Sequence, residues 1–139
     1  MATMIHLSKE QLDEAFLENL HSTTFEYFKP GDDFRVDGGY LAKEDDGKIS
    51  GYILYRIISK AVVDVAYGGV DRAHRGFKTL KNMSLLIKEL FSKYELITMM
   101  VMNKNTRMLK LCMELDFDII GTKLFKNGQL YVLLEKGRG

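Results

Sequence analysis

The sequence predicts a single domain over residues 1–139 with an α/β (α+β) fold: one mixed, mostly antiparallel sheet flanked by helices on both faces. Three observations carry that prediction. From Tyr40 to Val70, three short β-prone runs follow one another through tight turns, the pattern of antiparallel neighbours. An amphipathic pattern over Phe77–Tyr94 then joins a valine-rich strand to the largely apolar run Glu95–Met102. A crossover of that length is what allows two strands to lie parallel. A final pair of β-prone runs closes the chain around Lys126-Asn127-Gly128-Gln129.

Taken in order, Met4–Leu7 reads as a short strand. Ser8 then opens a helix, because Ser8 and Gln11 have capping-box spacing and Leu12, Ala15, Phe16 and Leu20 recur at helical intervals. The stretch His21–Gly39 holds Phe25, Tyr27, Phe28, Phe34 and the only proline, Pro30, and reads as a short second helix and a loop. Tyr40–Lys43 and Ile49–Ile58 form a hairpin across Asp45–Lys48, and Ser59-Lys60 turns the chain into Ala61–Val70. In the long helix, Phe77, Leu80, Met83, Ile87, Leu90, Phe91 and Tyr94 mark one face. Met108, Leu111, Cys112 and Leu115 do the same for a helix over Thr106–Leu115. Phe117–Phe125 and Leu130–Leu134 are the last strands.

Composition narrows the function. Hydrophobic residues at 46% and charged residues at 28% are globular usage rather than that of a disordered chain. A formal net charge of +1 gives no global drive toward nucleic acid or anionic membrane, so neither is expected as a partner. No apolar run reaches the roughly 20 residues of a bilayer span, and the N-terminal stretch shows no signal-like apolar core. The single cysteine, Cys112, excludes an internal disulfide and a zinc cluster, and no metal site is expected. The reading is a reducing, cytoplasmic protein.

The junction between the valine-rich strand and the long helix concentrates the chemistry. Gly68 and Gly69 end the strand, where glycines mark a bulge or the close approach of another backbone or a ligand. Arg72, His74, Arg75, Lys78 and Lys81 follow. Cations at a helix start oppose its dipole unless an anion sits there, and phosphate would suit both cations and free N–H groups. A solvated basic turn accounts for the same residues. On the strand itself, Asp64 interrupts an apolar run, and alternation places it opposite Val63, Val65 and Tyr67. Such a carboxylate is a candidate general base in a cleft, or one half of a structural ion pair.

The run Val70-Asp71-Arg72-Ala73-His74-Arg75-Gly76, followed by Asn105, Met108, Leu111, Cys112 and Phe117, resembles the two signature stretches of the GCN5-related N-acetyltransferases (GNAT). The likeness extends over essentially the whole chain. It implies a protein that moves an acetyl group from acetyl-CoA to a small-molecule or peptide amine. Val70, Arg75, Gly76, Phe77, Lys78, Thr79, Leu80 and Asn105 would then hold the CoA, Asp64 would act as base, and backbone N–H groups near Gly68-Gly69 would polarise the thioester. Cys112 stands where relatives carry the tyrosine that protonates the leaving thiolate. Its place on the apolar stripe equally suits a core residue, and Tyr67, Tyr94 and Tyr131 are further hydroxyl candidates. Lys78 and Leu80 occupy positions where the family has small residues, and Asp116 replaces a glycine. These departures leave a second reading open, a GNAT-shaped binding or structural protein such as a virion- or assembly-associated domain. A homodimer is compatible with either.

Overall fold

A computed structural model describes residues 3–12, 36–70 and 77–138, with the side chains of residue 70 and residues 77–80 set aside. The strands are β1 (Thr3–Ser8), β2 (Gly38–Lys43), β3 (Ile49–Ile57), β4 (Val62–Val70), β5 (Leu96–Met102), β6 (Asp118–Leu124) and β7 (Leu130–Gly137). The helices are α1 (Phe77–Phe91) and α2 (Thr106–Glu114). The strands make one seven-stranded sheet in the order β1-β2-β3-β4-β5-β7-β6. Only β4 and β5 run parallel, joined by α1 as the sequence pattern requires. Among the described residues no helix is long and apolar enough to cross a membrane.

The turns obey local chemistry. Gly47 (φ +88°) and Gly128 (φ +83°) take left-handed conformations in the two hairpin loops. Asp46 Oδ1 accepts from the Lys48 N–H at 2.9 Å, and Asn127 Oδ1 from the Gln129 N–H at 2.9 Å. In the β3–β4 turn, Ser59 Oγ accepts from the N–H groups of Ala61 and Val62. The Ser8–Gln11 spacing does form a local cap, with the Ser8 N–H donating to Gln11 Oε1 at 2.8 Å. It closes only a 3-10 turn, Lys9–Gln11, and Leu12 leaves helical geometry at ψ 63°. The expected helix from Ser8 therefore does not run unbroken through Leu12, and its continuation, like the second helix, lies outside the described residues.

Both described helices pack on one face of the sheet. Met83, Leu86, Ile87 and Leu90 of α1 and Cys112 of α2 share a core with Ile53, Val63, Val65, Ile97, Met99, Val101, Val132 and Leu134. The other face carries a second cluster of Leu12, Val36, Leu41, Tyr52 and Leu54. Asn82 fixes the α1 placement: its buried amide donates to Glu44 Oε1 at 3.1 Å and to Ser50 Oγ at 3.2 Å. Ser50 in turn donates to the Ala42 carbonyl, so the helix is tied to the β2–β3 hairpin with its polar atoms satisfied.

The C-terminus of α2 explains one departure from the GNAT pattern. Asp116 adopts φ +65°, and the N–H of Phe117 returns to the Cys112 carbonyl at 3.0 Å. That is a left-handed helix stop, where glycine costs nothing and aspartate is tolerated.

Candidate active site

β4 and β5 pair only from Val62↔Leu96 to Val65↔Met99. Beyond that point they part. Tyr67–Val70 continues along β3, with Tyr67 opposite Leu54 and Val70 opposite Gly51. Met100–Met102 continues along β7, from Met100↔Leu133 to Met102↔Tyr131. Inside the sheet, the facing edges of residues 66–70 and 100–102 thus have no strand between them. Each edge presents backbone N–H and C=O groups that need partners.

The parting coincides with a bulge. Leu54 and Tyr55 are consecutive on β3, but their partners on β4 are Tyr67 and Val65, so Ala66 is the extra residue. This corrects two sequence expectations. The bulge lies at Ala66 and not at Gly68-Gly69, which pair regularly with Ile53 and Tyr52. It also reverses the alternation, so Tyr67 shares the face of Asp64 and packs with Tyr52 and Leu54 rather than with Val63 and Val65. Burial raises the Tyr67 pKa, the Arg56 charge draws it back down, and Tyr131 raises it further. Tyr131 stands across the wedge on β7, opposite Met102.

Asp64 sits one residue below the apex. Its Oδ2 accepts from Arg56 Nη2 at 3.1 Å and its Oδ1 from Thr98 Oγ1 at 2.8 Å. Both oxygens are occupied by neighbours on adjacent strands. The pair is incompletely satisfied, since Arg56 Nε is buried without a partner among the described residues.

Cys112 lies on the helix side of the apex. It is buried, and its Sγ donates to Met99 Sδ at 3.2 Å. Burial pushes its pKa from 9.0 up to about 12, so the thiol holds its proton firmly. Asn105 is the N-cap of α2, its Oδ1 accepting from the Met108 N–H at 3.3 Å and its own N–H donating to the Met102 carbonyl at 2.9 Å. Its amide NH2 points to no partner among the described residues. The neighbouring Asn103 donates its backbone N–H to the Leu130 carbonyl at 2.9 Å. Arg75 and Gly76 lie outside the described residues, as do the side chains of Val70, Phe77, Lys78, Thr79 and Leu80. The structure thus sets Asp64, Tyr67, Tyr131 and Asn105 near the parting of β4 and β5, with Cys112 buried in the core on the helix side. No group of three metal-ligating side chains occurs among the described residues.

Solved structures share this fold. A variant of spermidine N-acetyltransferase from Vibrio cholerae superposes with a TM-score of 0.73 at 13% identity, over 98% of this chain and 93% of the other. A probable GNAT-family acetyltransferase from Chromobacterium violaceum matches at 0.68 and 15%, over 98% and 82%. The fold is that of the GNAT acetyltransferases. A chain of the NatC complex, bound to Gag peptide and CoA, superposes at 0.69 and 11% over 98% and 99% of the two chains. No protein-family profile and no curated protein matches the sequence, so the GNAT likeness is carried by architecture.

Proposed function

We propose that the protein is an N-acetyltransferase that moves an acetyl group from acetyl-CoA to an amine. The observation that carries this reading is the parting of β4 from β5 above Val65 and Met99 on a GNAT fold. An extended chain rich in amides can pair with both free edges as an added strand would. The pantetheine arm of CoA has that chemistry, so the donors and acceptors present fit the group. Asn105, between the end of β5 and α2, has an amide NH2 to offer the same arm. Phosphates at the far end of CoA would meet Arg75 and Lys78, the cations that the sequence places just before and within the start of α1.

Bound there, acetyl-CoA supplies the activated thioester. The chain's own groups then have three tasks. Backbone N–H groups beside the Ala66 bulge are the donors assigned to the carbonyl oxygen. Asp64 supplies a carboxylate one residue below the apex, and as a base it would act through water, since Arg56 and Thr98 already hold both its oxygens. For the leaving thiolate, the hydroxyls of Tyr67 and Tyr131 are favoured over Cys112, whose proton burial retains. The acceptor would enter on the Tyr67–Tyr131 face.

Calorimetric titration of acetyl-CoA tests the reading. Micromolar binding, weakened by the Arg75→Ala/Lys78→Ala double variant with a flatter salt dependence, is the expected result. No heat at millimolar ligand would overturn it in favour of a GNAT-shaped binding or assembly protein, the reading favoured by Lys78 and Leu80 where the family has small residues.

A further inference from the structure

The two edges of the sheet differ. At the β6 edge every residue except Gly121 is exposed, including Ile119 at 52%, Ile120 at 55% and Leu124 at 69%. An exposed apolar edge strand is a template for pairing with another chain. The hydrogen-bond directions show what it offers. The Leu130 carbonyl accepts from the Asn103 N–H beyond β5, so Leu130 turns its backbone away from β6. Its β6 partner, Leu124, therefore turns its own backbone groups outward, and by alternation so does Thr122. A one-residue bulge at Ile120 resets the phase and brings Ile119, rather than Ile120, to the free edge.

We propose that β6 pairs antiparallel with β6 of a second copy of this chain, Asp118 opposite Lys123 and Ile119 opposite Thr122. Charge complementarity selects the partner and the register. Asp118 and Lys123 oppose Glu135 and Tyr131 on β7, which places both side chains on one face of the sheet. Reversing the strand against itself sets each acid beside a lysine, twice by symmetry. Sliding the pairing by one residue in either direction sets Asp118 against Thr122 or Leu124 and loses both pairs. The same register faces Ile119 with Thr122, the positions whose backbone groups look outward, so the bulge repeated in the two strands is matched rather than disruptive. Ile119 and Ile120 leave water on pairing. The wedge between β4 and β5 lies on the inner side of β7 and stays open, so this association is separate from acetyl transfer.

A single strand pair makes a small interface, so the dimer should dissociate on dilution. Sedimentation velocity over a concentration series reads it directly. The parent is expected to move from the 16.0 kDa chain mass toward twice that value as concentration rises. Asp118→Lys and Lys123→Asp should each remain monomeric while keeping the parental circular dichroism. Mixing these two variants should restore a dimer, because every acid then faces a lysine across the interface. The double variant Asp118→Lys/Lys123→Asp should likewise associate with itself. A parent that stays monomeric at every concentration overturns the proposal. So does a dimer indifferent to either single reversal, or a failure of the mixture to associate.

Discussion

Raising the pH from 8 to 10 should weaken the fold through Cys112. The thiol is 1% exposed, and burial pushes its pKa from 9.0 up to about 12. Below pH 9 the folded and unfolded chains both hold this proton, and the group contributes no pH dependence. As pH climbs from 9 toward 12 the unfolded chain alone ionises, so stability falls by about 1.4 kcal/mol per pH unit. Integrated from pH 8 to 10, the loss is roughly 1–2 kcal/mol. For a chain of this length that lowers Tm by about 4–6 °C. Burial also raises the pKa of Tyr52 and Tyr55, from a higher starting value of 10.0, and their effect has the same sign. Comparing the parent with Cys112→Ala cancels it. Urea unfolding of both proteins at pH 8 and pH 10 should show the parent losing roughly 1–2 kcal/mol more than the variant. Equal losses would refute the reasoning: the thiol would then ionise freely within the fold and return as a candidate proton donor.

Other substitutions probe the remaining features. Asp64→Asn should lower the acetyl-transfer rate by about 10²-fold in steady-state assays, the low end of what a general base contributes because the proton travels through water; a loss of less than tenfold would reject the role. Its stability cost should stay below about 1 kcal/mol, because Arg56 is well exposed to solvent. Asp116→Gly should stabilise the protein by about 1 kcal/mol in chemical denaturation by relieving the left-handed backbone at φ +65°. Asn82→Ala removes the buried amide that donates to Ser50 Oγ and Glu44 Oε1 beneath α1 and should cost about 1–3 kcal/mol in the same assay.

Strands and helices were legible in the sequence because their periods are local. The parallel relation of β4 and β5 was legible too, since the helix between them leaves few other ways to connect two buried strands. The side on which Tyr67 stands was not. Alternation counted from Val63 puts it in the helix-side core, and a single extra residue at Ala66, defined by pairing with β3, turns it to the other face. Asp64 was recognisable as an anomaly, but its partners were hidden: Thr98 is 34 residues away and meets it only through the parallel register. Of the two tyrosines now placed at the opening, only their hydroxyls recommended them from sequence. Cys112 was readable both as core and as acid, and its contact with Met99 and its raised pKa favour the core.

The short parallel ladder also divides the chain. β1 to β4 form one run of neighbours in sequence order and β5, β7 and β6 a second group, and within the sheet the two halves are stitched only at Val62–Val65 and Leu96–Met99. Sub-global opening should follow that seam, with amide protons on either side of it exchanging together before those in the interior of each half. A ligand lodged above the seam would extend the stitching by its own length. Slowed exchange along both arms, 66–70 and 100–102, would therefore register occupancy of the wedge even when no turnover can be followed.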